Sequence, residues 1–356
     1  MDNSSANFME ETTALSELNK LKAKLQSVKL PANLMQKALE QIERVNLSLK
    51  YGTGGFTHLD IIEKYIDWIV SLPWYTETQD VVDLQKTKQI LDKNHYGLDK
   101  IKQRILEYLS IFKLQKEKLH AHELQVRPLF FVGLAGTGKT TFAISLAQSL
   151  GRKLVRIPFG GLSSAQDLRG QSKTAPESQP GVIIKALRTS QVKNPVILLD
   201  ELDRVTPEAR SAVMGVLLEL LDPAQNINYN DYFIDYPFDL SNVLFVSTAN
   251  NTGNIAPPVL DRLELIQMPS YSDEEKIMIG KNYILPKYIK LAGLEPNQLT
   301  MDEALWAQLV RPLGFEPGIR GLERLIETIV RKVAFKIVSG QSQSYFINAN
   351  NVKEFI

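Results

Sequence analysis

The sequence predicts an α/β protein with all-α flanks, in which a doubly wound parallel sheet forms the central domain. Two observations predict this fold. Residues 121–268 alternate short apolar runs with amphipathic stretches of helical period, as in parallel strands that helices cover on both faces. The regions on either side carry apolar residues mainly at helical spacing. We therefore expect a disordered tail over 1–14, a helical segment over 15–120, the α/β domain over 121–268 and a small helical domain over 269–356.

The N-terminal segment is predicted from the spacing of its apolar residues. Residues 1–14 are polar and acidic and show no apolar period, so we expect them to be disordered. After them, leucine and valine recur every three or four positions, as on one face of a helix: Leu15, Leu18, Leu21, Leu25 and Val28. Further helices are predicted after Pro31 and over 58–71, 83–92 and 98–116.

The central and C-terminal elements follow from the same kind of pattern. Four short apolar runs are strand candidates, each followed by a helix candidate: 129–132, 154–158, 195–199 and 243–248. After Met268 the pattern becomes helical again, with predicted helices over 272–292, 301–311 and 317–339 and a short strand over 345–347. The alternation of strand and helix is typical of a parallel sheet, whose ligands bind at the carboxyl ends of the strands.

The composition excludes several classes of protein. Hydrophobic residues make up 44% and charged residues 23%, and the net charge of +1 gives no overall attraction to nucleic acid or membrane, although non-specific DNA binding through a local patch stays open. The absence of cysteine excludes disulfides, thiol catalysis and thiolate metal sites. The four histidines lack metal-ligand spacing. No signal-peptide pattern and no apolar run near the ~20 residues of a membrane span occur, so we expect a cytoplasmic protein without membrane contact.

A glycine-rich motif predicts a phosphate-binding loop. Residues 133–140 read Gly-Leu-Ala-Gly-Thr-Gly-Lys-Thr, between a predicted strand and a predicted helix. The glycines allow successive N–H groups to point at one anion, and the helix adds the positive end of its dipole. Lys139 can reach the β- and γ-phosphates of a nucleoside triphosphate, and the Thr140 hydroxyl can bind Mg²⁺. The predicted binding residues are Gly133, Leu134, Ala135, Gly136, Thr137, Gly138, Lys139, Thr140 and Thr141.

Two carboxylates end the next buried strand. Asp200 and Glu201 follow the apolar run 196–199, at the strand end that faces the phosphate loop in such a sheet. Asp200 is expected to hold Mg²⁺ through water, and Glu201 to orient and deprotonate the attacking water. Alternatively, both acids only cap the helix that starts near Pro207, an interpretation that the upstream phosphate loop disfavours.

Three further polar residues each have two interpretations. Asn250, after the strand 243–248, could touch the γ-phosphate or the attacking water, or could stabilise a local turn. Arg262 could stabilise the γ-phosphate of a neighbouring subunit, or could pair at the surface with Asp261 or Glu264. Arg320 could reach the nucleotide from the last domain and couple hydrolysis to domain rotation, or could belong to a salt-bridged helix face.

These residues, in this order, resemble the ATPase module of the Lon family of ATP-dependent AAA+ serine proteases. The resemblance covers roughly residues 15–356 and rests on five segments: Tyr65 to Trp74, His95 to Lys102, Asn194 to Asp203, Leu217 to Asn226 and Leu260 to Glu264. It implies an AAA+ P-loop NTPase fold with a small helical lid domain, and ATP and Mg²⁺ as cofactors. The implied roles are Walker A for 133–140, Walker B for Asp200 and Glu201, sensor 1 for Asn250, a trans-acting arginine finger for Arg262 and sensor 2 for Arg320. It also implies that Tyr96 and Gly97 border the adenine.

The resemblance also implies a function. It predicts a ring of identical subunits, usually a hexamer, that couples ATP hydrolysis to unfolding and translocation of protein substrates in protein quality control. The alternative is a stand-alone AAA+ remodelling or regulatory ATPase that acts on a protein complex or DNA without proteolysis. A third possibility, a scaffold that binds nucleotide without hydrolysing it, is disfavoured because the full set of predicted catalytic residues is present.

The sequence departs from the family in three places. We expect neither the large N-terminal substrate-recognition domain nor the Ser–Lys protease dyad in these residues, so peptide-bond cleavage is not expected from them. The third departure is the substrate-gripping loop, where the family has an aromatic–aliphatic pair and this sequence has Ala175 and Pro176. Loss of one large apolar side chain would weaken the grip by about 2 kcal/mol per contact.

Overall fold

The computed structural model describes residues 3–51, 55–118, 126–174, 177–311 and 316–356. Its first five helices are α1 (Asn3–Gln26), α2 (Ala32–Lys50), α3 (Gly55–Ser71), α4 (Leu84–Asn94) and α5 (Asp99–Lys118). The predicted helices are confirmed, but the prediction of disorder through residue 14 is wrong for the described part, because α1 already begins at Asn3. From Ala14 onward, α1 buries Leu18, Leu21 and Leu25, and a helix that tertiary contacts have nucleated extends at little cost.

The α/β domain contains one parallel sheet with strands in the order β2-β3-β6-β1-β7. Its elements, in chain order, are β1 (Leu129–Val132), α6 (Lys139–Leu150), β2 (Leu154–Pro158), α7 (Ala165–Arg169), α8 (Val182–Ser190), β3 (Val196–Asp200), α9 (Pro207–Leu220), α10 (Pro223–Asn226), β4 (Tyr229–Asp231), β5 (Tyr236–Phe238), β6 (Leu244–Ala249), α11 (Pro257–Leu260) and β7 (Glu264–Gln267). All four predicted strands are confirmed. The sequence did not predict edge strand β7 or the β4–β5 hairpin, which are short and partly exposed and so lack a continuous apolar run.

The C-terminal domain is a small helical lid. It contains α12 (Asp273–Ile279), α13 (Leu285–Leu291), β8 (Leu299–Met301), α14 (Glu303–Val310), α15 (Arg320–Val338) and β9 (Tyr345–Ile347). The predicted helix 272–292 is interrupted by a π-helical turn over Gly280–Ile284, next to Pro286, which has no N–H to donate. The predicted helix 301–311 begins later because residues 299–301 pair with β9, and Asp302 caps α14 by accepting from the Ala304 N–H at 3.3 Å.

The core is divided differently from the predicted domains. One apolar cluster joins α1, α2 and α3 to one face of the sheet and to α8 and α9. A second cluster joins α4 and α5 to the opposite face and to α6. A third cluster belongs to the lid. The first two clusters thus include residues on both sides of position 120, whereas the buried residues of the third all lie after Met268. The domain bounds themselves stay a prediction.

Candidate functional site

The predicted phosphate loop lies between β1 and α6. Gly136 and Gly138 have φ angles of +80° and +94°, which side-chain-bearing residues rarely adopt. The Gly133 N–H donates to the Ala249 carbonyl at 3.2 Å, and a Cβ atom at Gly133 would lie 2.6 Å from the Met268 carbonyl oxygen. The loop conformation therefore requires glycine at these positions.

Lys139 is the first residue of α6 and its side chain turns back into the loop. The buried ammonium donates to the carbonyl oxygens of Gly133 at 2.6 Å and Leu134 at 3.0 Å, and to Asn250 Oδ1 at 3.1 Å. Burial lowers the pKa of Lys139, and the positive charge of Arg320 lowers it further. Two cations thus converge on one cleft, an arrangement that suits a polyanion such as a triphosphate.

Asp200 ends β3 inside the same cleft. Its buried carboxylate accepts from Arg156 Nε at 2.5 Å through Oδ2 and from the Thr248 hydroxyl through Oδ1. Asp200 and Thr140 both line the cleft, and a carboxylate with a hydroxyl supplies the hard oxygen donors that Mg²⁺ prefers. The donor chemistry therefore fits Mg²⁺.

Glu201 is held in an unusual backbone conformation. Its φ of +60° places a residue with a Cβ atom in the left-handed region, which is costly and frequent at functional sites. The Glu201 N–H donates to Thr248 Oγ1 at 2.9 Å, and its carboxylate pairs with Arg204 at 3.1 Å. The conformation turns the carboxylate into the cleft beside Asp200.

A stacked histidine forms the side of the cleft where the resemblance expects the adenine. His95 lies parallel to Phe142, with ring centroids 3.7 Å apart, and its Nε2 lies 3.0 Å from Ser145 Oγ. Burial, together with the charge of Lys102, lowers the pKa of His95 to about 4, so the imidazole is neutral near pH 7. Tyr96 lines the cleft, and Gly97 follows it with a φ of +59°.

The lid closes the cleft from the other side. The Ile319 N–H donates to the Gly136 carbonyl at 3.2 Å, and the Tyr271 hydroxyl donates to the Thr137 carbonyl at 3.1 Å. Arg320, the first residue of α15, lies against the phosphate loop. The lid and the phosphate loop are therefore in direct contact.

The resulting cleft has a volume of about 330 Å³, in the lower range for small-ligand sites. The structure brings these predicted residues together around it: Tyr96, Gly136, Gly138, Lys139, Thr140, Thr141, Asp200, Glu201, Asn250 and Arg320. Of the two interpretations of Asn250, its contact with Lys139 favours the one in which it faces the ligand. The catalytic and ligand-binding roles of these residues stay predictions.

Arg262 is not among the described residues that line this cleft. It donates to the Pro258 carbonyl at 3.0 Å and pairs with Asp222 at 3.4 Å, rather than with Asp261 or Glu264. About a third of its side chain is exposed. This position is compatible with a role toward a neighbouring subunit.

Sequence reasoning missed several residues that line the cleft or contact its carboxylate. Arg156 and Thr248 both contact Asp200, and Tyr271 contacts the phosphate loop. The parallel register offers a signal for Thr248, because Leu199 pairs with Ser247 and the following residues are therefore neighbours. The register also brings Arg156 near Asp200, since Arg156 pairs with Leu198, which lies two residues before Asp200.

Other sequence predictions can be compared only in part. Among residues 3–51, 55–118, 126–174, 177–311 and 316–356, no cluster of three or more His, Asp or Glu could hold a metal. Ala175 and Pro176 of the predicted gripping loop lie outside the described residues. No helix in the described part of the chain has the length and apolar character needed to cross a bilayer.

Two known families match the chain. The family described as ATPase family associated with various cellular activities (AAA) matches residues 129–271. The family described as Lon protease AAA+ ATPase lid domain matches residues 290–346. These matches cover the sheet with the phosphate loop and most of the helical lid.

Curated relatives resemble nearly the whole chain. It is 40% identical to Lon protease of Heliobacterium modesticaldum over 94% of this chain and 40% of the relative. It is 38% identical to Lon protease of Syntrophomonas wolfei, over 98% of this chain and 42% of the relative. It is 39% identical to Lon protease 2 of Thermus thermophilus, over 96% of this chain and 42% of the relative. The chain therefore spans about two fifths of the length of these relatives. With an AAA domain, a Lon-type lid and this similarity, the chain is a Lon-type AAA+ module homologous to Lon proteases.

Proposed function

We propose that this chain binds ATP with Mg²⁺ in the cleft and hydrolyses it. The observation that carries the proposal is the convergence of Lys139, Asp200, Glu201, Asn250 and Arg320 around one cleft at the carboxyl ends of the strands. Such a set supplies cations for the phosphates, oxygen donors for the metal and a carboxylate for water activation. The AAA family match supports the same activity.

Each residue has a distinct proposed task. The loop N–H groups and Lys139 hold the phosphates, while Thr140 and Asp200 hold Mg²⁺, which would neutralise phosphate charge. Glu201 accepts a proton from the attacking water, and Asn250 orients that water or the γ-phosphate. Arg320 contacts the phosphates from the lid. His95 and Tyr96, with Gly97, border the base.

We propose that Arg262 completes the site of a neighbouring subunit. The side chain lies outside its own cleft and is partly exposed, and its pair with Asp222 fixes its direction. An arginine that acts on a neighbour requires a ring, and we propose a homo-oligomer, most simply a hexamer. In the transition state the guanidinium would stabilise charge on the γ-phosphate.

We further propose that the ring unfolds and translocates polypeptides in the cytoplasm, as part of protein quality control. The lid contact with the phosphate loop supports this coupling, since the Ile319–Gly136 hydrogen bond links the position of the lid to the occupant of the loop. Nucleotide-driven rotation of the lid would then move neighbouring subunits relative to each other.

The first test is steady-state ATPase activity as a function of protein concentration, with Glu201→Gln as the comparison. Specific activity should rise with concentration and be lost in the variant, which should still bind ATP. Concentration-independent activity would contradict the shared site, and normal hydrolysis by Glu201→Gln would contradict the role of Glu201.

A further inference from the structure

An open groove lies away from the nucleotide cleft, between the β4–β5 hairpin and the segment that follows α7. Its volume is about 720 Å³. The described residues that line it are mostly polar or charged, with one aromatic ring among them: Gln166, Gly170, Gln171, Ser172, Lys173, Thr174, Tyr232 and Asp235. Among these described residues, Tyr232 offers the one large apolar surface.

That aromatic ring belongs to Tyr232, which is 49% exposed although its neighbours in the hairpin are buried. Its N–H donates to the Arg169 carbonyl at 2.7 Å, and the Arg169 guanidinium lies 5.7 Å from the ring centroid. The exposed ring thus stands on a fixed backbone, so its exposure is not a result of a loosely packed hairpin.

The base of the hairpin is fixed by a buried carboxylate. Asp231 accepts from the N–H groups of Phe233 at 2.9 Å and Ile234 at 3.1 Å through one oxygen, and from Gly181 at 2.7 Å through the other. The last bond ties the hairpin to the start of α8. The two ends of the segment that follows α7, residues 171–179, are joined by the Gln171 N–H, which donates to the Gln179 carbonyl at 3.1 Å. The hairpin is therefore tied to the start of α8, and the two ends of the segment 171–179 are tied to each other.

The charges at the groove argue against a nucleic acid as its ligand. Lys173 pairs with Asp235 at 3.5 Å and lies over the Tyr65 ring at 4.3 Å from its centroid. Asp235 is also paired with Lys37 at 2.7 Å. The cation at the groove is thus directed toward α3 and the hairpin, whereas a polynucleotide would require cations that face its phosphates.

We propose that this groove contacts an unfolded polypeptide and that Tyr232 supplies the apolar contact. An aromatic ring can pack against aliphatic or aromatic side chains of any sequence, while amides and hydroxyls bond to main-chain groups of an extended segment. Ala175 and Pro176, in the adjacent loop, present little apolar area for this purpose. The inference rests on the proposed action on polypeptides and assigns a residue to it.

The test uses the full 356-residue chain and fluorescein-labelled β-casein, an unfolded protein, as the probe. Fluorescence anisotropy would measure casein affinity in the presence of ATP, and a coupled assay would measure ATPase activity without casein. Tyr232→Ala should weaken casein binding about tenfold and leave the basal ATPase unchanged. Tyr232→Phe should bind like the wild type. Tyr75→Ala, at a tyrosine that is 54% exposed elsewhere, is the matched control and should have no effect.

A second measurement covers the case in which Tyr232→Ala is unstable. A photo-crosslinking benzophenone side chain in place of Tyr232 should crosslink to casein, and the same group in place of Tyr75 should not. Wild-type casein affinity of a folded Tyr232→Ala, or no crosslink at 232, would overturn the inference while the proposed function stands. If the wild type hydrolyses ATP but binds no casein, both the polypeptide function and the inference fail.

Discussion

Gly318 offers a direct test of the contact between the lid and the phosphate loop. A Cβ atom at this position would lie 2.3 Å from the Ala135 carbonyl oxygen and 2.6 Å from the Gly136 carbonyl carbon, both backbone atoms. Since Cβ atoms essentially never approach within 3.0 Å, Gly318→Ala must separate lid and loop by about 0.7 Å or more. The φ of Gly318 is not in the left-handed region, so the expected effect is steric.

We expect the displacement of the lid to lower the rate of ATP hydrolysis. Separation strains the Ile319–Gly136 hydrogen bond, now 3.2 Å, and moves Arg320 away from the proposed phosphate site. A misplacement of roughly 1 Å can cost about 10²-fold in rate, so we expect kcat for ATP to fall by between ~10- and ~10²-fold. A coupled ATPase assay measures kcat, and a fluorescent ATP analogue measures affinity.

Gly215→Ala is the matched control, because a Cβ atom at this helical position has no neighbour within 4 Å. It should keep wild-type activity and gain up to about 1 kcal/mol of stability. Wild-type kcat and affinity in Gly318→Ala would show that the lid does not contact the loop during turnover, and would refute the reasoning.

Four further predictions follow from the structure. Lys139→Ala should weaken ATP binding at least ~10²-fold in a titration with a fluorescent analogue, since it removes the proposed charge-assisted contact to two phosphates. Arg262→Ala should leave binding nearly intact and lower kcat by about 10³-fold in the coupled ATPase assay. His95 has a pKa lowered to about 4, so its contribution to folding is complete above pH ~6.5 and is lost as the pH falls toward 4. The wild type should therefore lose about 2 kcal/mol more than His95→Gln between pH 7 and 5 in urea unfolding. Asp80→Asn should destabilise the fold by about 3–5 kcal/mol in chemical denaturation, because Arg152 is buried and donates to Asp80 at 2.7 and 2.6 Å.

Each of these predictions has an outcome that contradicts it. Normal hydrolysis by Arg262→Ala would exclude the trans-acting role, and unchanged ATP affinity in Lys139→Ala would place the phosphates elsewhere. Parallel pH profiles of wild type and His95→Gln would mean that the imidazole is not buried. For Asp80→Asn, the exposed pairs of Asp67 provide the control, since Asp67→Asn should cost no more than about 1 kcal/mol.

The sequence predicted the central sheet because its inner strands are buried on both faces and are therefore continuous apolar runs. It did not predict β7, since Glu264 and Gln267 interrupt the apolar pattern and the strand is defined by its pairing with β1, far away in the chain. The helix predicted over 272–292 contains a π-helical turn, starting at Gly280, that the apolar periodicity did not predict. A Cβ there would lie 2.7 Å from Trp306, a packing constraint from another helix that local periodicity does not carry.

The candidate site was predictable where one segment carries the chemistry. Residues 133–140 contain both the conformation-specific glycines and the cation, and Asp200 with Glu201 ends a strand that is recognisable by itself. Arg156 was missed because it reaches Asp200 only through the register between β2 and β3. The sequence did not predict the contact of Gly318 with the phosphate loop, because the two lie about 180 positions apart along the chain.

The apolar clusters indicate which parts of the molecule would move together. Helices α1–α3 share a continuous core with the sheet, and Asp67 of α3 is held by Arg188 of α8 at 2.8 Å. In an assembled ring these helices would form a collar that turns together with the sheet. The lid has a cluster of its own, joined to the sheet by a short connection at Pro269. If the lid rotates as proposed, the bend would fall between these two clusters, and a shortened chain without the collar would expose the apolar face that the collar covers.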